Sequence, residues 1–414
     1  MNIIIANDYA TVNGGSAQVA VVSARALAES GHNVYYVFAA GASGLELEHE
    51  NITLINLEQY DLLNNPSKLN AAIIGIWNSD VASKAKKFLS QFSPLDTIIH
   101  VHGWVKSLSN SFLHAVLQSN IPHVITLHDY FSVCPNGGFF NYNSGEICKL
   151  TAMSGSCLRS NCDVRSQSQK LWRFSRQMVT TKIGMPRNIS NYIYVSNFSK
   201  NILLPYFSSA SKLWNVPNPI DMKKLPPANP ELSEYFTYVG RLSVEKGVEL
   251  FARASSAAEA KARIVGSGEL EETLKSINQS AEYTGWADRE NVTNYIRNSR
   301  AVVVPSLLYE TQGMVVAETA ALGVPCIVAD TCAGRDFVED GVTGLWFKGG
   351  DSASLADAIK KLKDNKLLAQ EMGRNAYQKY WLNPPTIDSH LKTLTECYQS
   401  IINCSPPTPQ THTS

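Results

Sequence analysis

Short apolar runs alternate with longer amphipathic stretches from one end of the chain to the other. In the first half the runs are NIIIA, NVYYVFA, ITLINL, TIIHVH, HVITLH and YIYVS; in the second they are YFTYVG, ARIVG, AVVVPS, PCIVAD and GLWF. Between them lie segments such as SAQVAVVSARALAES and DSASLADAIKKLKDN, whose apolar positions recur at helical spacing. Almost wholly apolar strands, each followed by a helix, predict parallel sheets covered on both faces. So many strands exceed one comfortable open sheet. The pattern therefore predicts an α/β chain of two doubly wound, Rossmann-like domains. The proline-rich NVPNPIDMKKLPPANPE, residues 215–231, marks the break. The expected divisions are a first domain at 1–210, a second at 211–384, a helix at 385–404 packing back toward the first domain, and a disordered polar tail at 405–414.

Composition narrows the class. The chain has 414 residues, 44% of them hydrophobic, and 36 Lys and Arg against 36 Asp and Glu. That length suits more than one domain, and the balanced charge gives no case for nucleic acid. No run of 18 apolar residues occurs, and the start, MNIIIAND, lacks a basic leader, so a cytoplasmic chain without a membrane span is expected. Four of the 8 cysteines, Cys134, Cys148, Cys157 and Cys162, fall in one insertion at about 134–162. Their spacing lacks the paired knuckles of a zinc site, so free or partly buried thiols rank ahead of a structural zinc clip. From Val164 to Ile220 there are 8 Lys or Arg and no acid. The start of that segment, 164–187, interleaves Leu171, Trp172, Phe174 and Met178 with Lys170, Arg173 and Arg176. It reads either as an amphipathic helix for an anionic membrane at the inner face of the cell or as a domain helix with a solvated basic face.

Ligands of open parallel sheets bind beyond the strands' carboxyl ends, and anions favour helix N-termini there. Gly14 and Gly15, after the first strand, open the first long helix and could face an anion or simply make a tight turn. Arg241 and Lys246, after YFTYVG, make a candidate pyrophosphate clamp of one guanidinium fork and one point charge. IVGSGELEE lacks the third glycine of a dinucleotide fingerprint and sits mid-chain, so a nicotinamide site is rejected, leaving Gly266 as a turn residue lining a site. In SLLYETQGMVVAETAALGVP, Glu310 and Glu318 stand eight positions apart around Gly313. With Glu310 in a loop after a strand and Glu318 in the next helix, both could address one ligand.

Taken together, NGGSAQVA, TLHD, VSNFSK, NVPNPID, YVGRLSVEKGVE, IVGSGEL, YTGWADRENVTNYI, VVPSLLYETQGMVVAETAALGVPCIVAD and EDGVTGLWF resemble, in order and spacing, the retaining glycosyltransferases of family 4, which have the GT-B fold. The resemblance spans about residues 1–385 and is densest over 235–347. It implies a nucleotide-diphospho-sugar bound between two domains and transfer to an acceptor hydroxyl, with the donor a UDP- or GDP-sugar and no cofactor or metal required. Residue by residue, it implies that Arg241 and Lys246 hold the diphosphate and Glu318 accepts the ribose hydroxyls. Glu310 would touch the transferred sugar, with the backbone from Thr311 through Gly313 to Met314 beside sugar and phosphate. Gly14 and Gly15 would lie near phosphate and acceptor, and His128 by the donor sugar, with His102 a weaker candidate. Asn218 and Asp221 match a hinge turn, and Trp286 stands where either base contact or packing is plausible. Gln312 replaces a usual apolar residue, and Asp336 a common Glu. The insertion resembles those of members that build surface polysaccharides or lipopolysaccharide, and the acid-free segment favours a lipid-linked saccharide acceptor. Three other readings stay open: a GT-B-like sugar-nucleotide 2-epimerase, a GT-B-like phosphorylase and a non-catalytic sugar-nucleotide-binding module.

Overall fold

A computed structural model describes residues 1–404; the tail expected to be disordered, 405–414, lies outside the described residues. Strands β1 (Asn2–Ala6), β2 (Asn33–Phe38), β3 (Ile52–Asn56), β4 (Thr97–Val101), β5 (His123–Thr126), β6 (Asn191–Tyr194) and β7 (Lys212–Asn215) form one sheet in the order β7-β6-β5-β4-β1-β2-β3. Strands β8 (Tyr235–Val239), β9 (Lys261–Val265), β10 (Glu282–Gly285), β11 (Ala301–Val304), β12 (Cys326–Ala329) and β13 (Gly344–Phe347) form a second, in the order β10-β9-β8-β11-β12-β13. Every neighbouring pair in both sheets is parallel. These are two Rossmann-like domains. Strand order reverses between β1 and β4 in one sheet and between β8 and β11 in the other, where α/β sheets bind ligands.

The apolar runs are continuous because both faces of each sheet are covered. In β1, Ile4 and Ala6 face one cluster with Phe112 and Leu113, whereas Ile3 and Ile5 face another with Ala20, Val21 and Ala24 of the first helix. Two strands, β7 and β10, are missing from the pattern's prediction. Both are sheet edges with half-exposed or exposed residues, so neither carries a continuous apolar run.

The last helix, Ile387–Cys404, packs on the first domain, where Leu394, Cys397, Tyr398 and Ile401 join the cluster around Ile3 and Ile5. The chain therefore crosses between domains twice, and the two crossings are tied together. Ile220 N–H donates to Pro385 O at 2.7 Å, and His390 Nδ1 donates to Pro217 O at 2.8 Å.

Cys134, Cys157 and Cys162 are buried and Cys148 half-buried, all as free thiols, and among the described residues no group of three or more metal-ligating side chains is arranged to hold an ion. The thiols instead pack and take hydrogen bonds: Lys170 Nζ donates to Cys157 Sγ at 3.4 Å and Asn136 Nδ2 to Cys162 Sγ at 3.1 Å. In the helix Gln167–Lys182, Lys170, Phe174 and Arg176 are buried, whereas Leu171 and Met178 are exposed. Among the described residues no helix is long and apolar enough to cross a membrane.

Candidate active site

At the reversal point of the second sheet, the loops after β8 and β11 meet. A single turn over Val244–Lys246 ends at Gly247, whose φ of 68° is left-handed. A Cβ there would collide with the Pro305 carbonyl, so only glycine lets the two loops touch. Leu307 N–H also donates to Glu245 O at 3.0 Å. The result brings Lys246 Nζ to Glu310 Oε1 at 2.7 Å, with Ser306 Oγ donating to the same oxygen at 2.6 Å.

The Glu310 side chain is 12% exposed and that of Lys246 30%. Burial works against the Glu310 charge, but the Lys246 ammonium and the two hydrogen bonds overcome it and hold the carboxyl below the ordinary glutamate range. The same carboxylate raises Lys246 above the usual lysine value against the pull of desolvation. Both groups are charged at neutral pH. Arg241 is exposed at the rim and makes no ion pair among the described residues. The helix Met314–Ala321 opens at Gly313 with no side-chain cap, so its positive end is turned to the same loops.

The first domain supplies the opposite wall, from the loop after β5. His128, Asp129, Tyr130 and Gly137 join Arg241, Lys246, Glu310, Thr311, Gly313 and Met314 around a cleft of about 460 Å³. Thr311 Oγ1 donates to His128 O at 2.8 Å and Tyr130 OH to Glu310 O at 3.4 Å, so the domains touch across it.

His128 is the end of a buried chain of rings. Its Nε2 lies 2.9 Å from His102 Nδ1, His102 Nε2 lies 3.2 Å from His100 Nδ1, and that nitrogen is also 2.5 Å from Tyr398 OH on the last helix. Burial, with the neighbouring histidines adding to it, pushes His102 and His100 well below the usual range, and His128 to about 3. All three rings are neutral at physiological pH, so each carries one N–H and one lone pair.

Five other expected site residues lie outside the cleft's lining. Gly14 and Gly15 sit at the exposed start of the first helix. Gly266 is required by backbone packing, since a Cβ there would meet the Gly240 carbonyl. Trp286 is 77% exposed after β10. Glu318 is half-buried one turn inside its helix and makes no hydrogen bond or ion pair among the described residues. Burial raises its carboxyl despite the opposing pull of Arg289. Asn218 N–H donates to Gln312 Oε1 at 3.0 Å, tying the inter-domain crossing to the loop after β11, and Asp221 pairs with Arg289 at 3.2 Å. Asp129, Tyr130 and Ser306 were not picked out from the sequence. Asp129 follows His128 directly, and Ser306 stands one helical turn before Glu310, but neither spacing announces a contact.

Comparison with known proteins follows the same two halves. The family model described as Glycosyltransferase Family 4 matches residues 13–224, and that described as Glycosyl transferases group 1 matches 221–379. The chain belongs to glycosyltransferase family 4. Among proteins similar to this chain, the GDP-mannose-dependent monoacylated alpha-(1-6)-phosphatidylinositol monomannoside mannosyltransferase of Corynebacterium glutamicum is 22% identical, covering 71% of this chain and 85% of that protein. Two solved structures share the GT-B fold. Sucrose-phosphate synthase from Thermosynechococcus elongatus has a TM-score of 0.74 at 18% identity, covering 97% of this chain and 99% of that one. Anabaena HepE in complex with UDP-glucose has a TM-score of 0.67 at 16% identity, covering 97% and 100%. The family 4 chain is thus a GT-B glycosyltransferase.

Proposed function

We propose that this glycosyltransferase transfers a hexose from a UDP- or GDP-sugar to an acceptor hydroxyl with retention at the anomeric carbon. The observation that carries this reading is the half-buried Lys246–Glu310 pair at 2.7 Å, with Arg241 beside it, at the reversal point of the second sheet. Glycosyl transfer must neutralise a departing diphosphate while a cationic sugar forms. Arg241, Lys246 and the positive end of the helix Met314–Ala321 supply that field, and Glu310 faces the sugar hydroxyls. The acceptor oxygen bonds to the anomeric carbon on the face the diphosphate leaves. The carbon–oxygen bond to phosphate breaks, its electron pair stays on the diphosphate, and a phosphate oxygen takes the acceptor's proton.

His128, its Nε2 engaged by His102, offers Nδ1 to the donor sugar, and Glu318 takes the ribose hydroxyls once the donor is seated. Thr311, Gly313 and Met314 flank sugar and phosphate, with Gly266 and Trp286 on the base side and Gly14 and Gly15 on the acceptor side. No Asp-x-Asp occurs in the chain, which suits a diphosphate neutralised by side-chain cations without a metal. A relative that uses GDP-mannose and a fold neighbour with UDP-glucose support both donor bases. A lipid-linked acceptor would bring the enzyme to the inner face of the membrane.

Lys246→Ala tests the reading. Turnover should fall about 100-fold or more, as when an oxyanion-stabilising donor is removed, while circular dichroism stays native. Undiminished turnover would exclude the clamp, and a product of inverted anomeric configuration by NMR would exclude retention.

A further inference from the structure

A second cavity of about 500 Å³ opens beside the first, at the reversal point of the other sheet. Tyr9 reaches it from the end of β1, Lys106 from the loop after β4, and Phe131 from the loop after β5. Phe131 belongs to the segment whose His128, Asp129 and Tyr130 line the donor cleft. Gly137, another residue of that cleft, lies directly under the Phe131 ring. One loop is therefore the partition between the two cavities.

The second cavity is cationic and aromatic. Lys68, Lys106, Arg165 and Arg176 line it, and none of the four forms an ion pair among the described residues; Arg173 is already held by Asp163 at 3.0 Å. Asp129, Asp8 and Asp163 act on the Arg176 guanidinium from a distance, but none forms an ion pair with it. Asp61 accepts from Leu63 N, Asn64 N and Asn64 Nδ2 at 2.6–2.8 Å, and Asp8 accepts from the N–H groups of Lys106, Ser107 and Leu108 at 2.7–3.0 Å. Arg176 is the telling residue. It is 6% exposed, with its guanidinium between the rings of Phe131 and Trp172, and its one hydrogen bond is a long 3.4 Å donation to Pro135 O. A guanidinium this buried is costly without a carboxylate in direct contact. Trp172 is locked by donating Nε1 to Ala72 O at 2.8 Å, which leaves a fixed aromatic wall. Fixed aromatic faces beside unpaired cations suit a sugar ring carrying phosphate.

Resting on the glycosyl-transfer reading of the neighbouring cleft, we propose that this cavity is the acceptor site and selects a phosphate-bearing saccharide. Arg176, with Lys68, Lys106 and Arg165, holds the phosphate, Trp172 and Phe131 carry the sugar, and the reacting hydroxyl reaches the donor past the Phe131 loop.

The test titrates the full chain by calorimetry with glucose 1-phosphate and with glucose. Alongside wild type run Arg176→Met, the rim variant Lys106→Ala/Arg165→Ala, and Lys246→Ala. Glucose 1-phosphate should bind and glucose should not. The rim variant, whose exposed positions leave the core intact, should weaken glucose 1-phosphate about tenfold or more while UDP and GDP binding is unchanged. Lys246→Ala should leave glucose 1-phosphate binding in place. Equal binding of glucose and glucose 1-phosphate, or loss on Lys246→Ala alone, would overturn the proposal. So would pocket-dependent binding to phosphatidic acid vesicles without binding of glucose 1-phosphate, which would make the site a membrane-headgroup contact. Failure of UDP and GDP to bind wild type would instead strike the donor cleft, so the two readings fail separately.

Discussion

At Asp129 the carboxyl is pushed up to about 6, chiefly by burial, with the Asp8 charge adding and a hydrogen bond from Phe131 N and the Arg176 charge opposing. Glu310, in the facing loop, is displaced the other way because it has Lys246. The two carboxyls of one cleft therefore carry opposite pH signatures. For Asp129 the folded value lies above the unfolded value of 3.8, so the fold binds its proton more tightly than the unfolded chain does. Its contribution to stability is complete below 3.8 and lost as pH rises to about 6. Asp129→Asn keeps an acceptor for Phe131 N but does not ionise. Urea unfolding across pH should show the variant's advantage over wild type growing through that window and level above it; an advantage constant with pH would show that Asp129 ionises normally. For Glu310 the sign reverses: its stabilisation is present above the ordinary glutamate value and fades as pH falls through the lowered one.

At the scale of elements, the last helix is held to the first sheet by more than apolar packing. Tyr398 is fully buried, and its hydroxyl meets His100 Nδ1 at 2.5 Å, while His100 Nε2 meets Thr126 Oγ1 at 2.6 Å. Tyr398→Phe keeps the ring but removes the hydroxyl's hydrogen bond to a buried imidazole. The expected cost is about 1–3 kcal/mol in urea unfolding; no loss would mean that His102 alone satisfies His100. This contact joins positions 298 residues apart, and nothing local in the sequence signals it. The central strands were legible because burial on both faces demands unbroken apolar runs; Arg241, Lys246 and Glu310 were placed after strands by their turns and by the family resemblance, neither of which signalled that Lys246 and Glu310 would pair. The edges β7 and β10 were not, for want of burial. Periodicity likewise identified the helix Gln167–Lys182, yet gave no sign that Lys170 lies against a thiol or Arg176 between two rings. Those positions depend on an insertion folding over the helix, which only the tertiary structure supplies.

Across the whole molecule, the domains are coupled at both the cleft and the crossings. Besides the contacts of Thr311 and Tyr130, Phe198 N–H donates to Asp336 at 3.0 Å and Asn218 N–H to Gln312 Oε1 at 3.0 Å. Each bond joins the first domain, or the crossing itself, to the second; Phe198 opens the helix Asn197–Leu203 and Asp336 lies in the single turn Ala333–Phe337. A donor seated between Lys246, Glu310 and His128 would press on both walls at once, and ligand at 100 times its dissociation constant stabilises the bound state by about 2.7 kcal/mol. Because the walls share hydrogen bonds, that stabilisation should be distributed to both domains. Hydrogen exchange with a saturating UDP- or GDP-sugar should therefore slow at 306–314 in the second domain and at 128–131 in the first, in the loop after β5 that lines the cleft. The nucleoside diphosphate alone lacks the sugar that His128 would meet, so it should protect 306–314 more than 128–131. Protection confined to 306–314 with the intact donor would mean that the first domain does not contribute to donor binding, and His128 would lose its place beside the sugar.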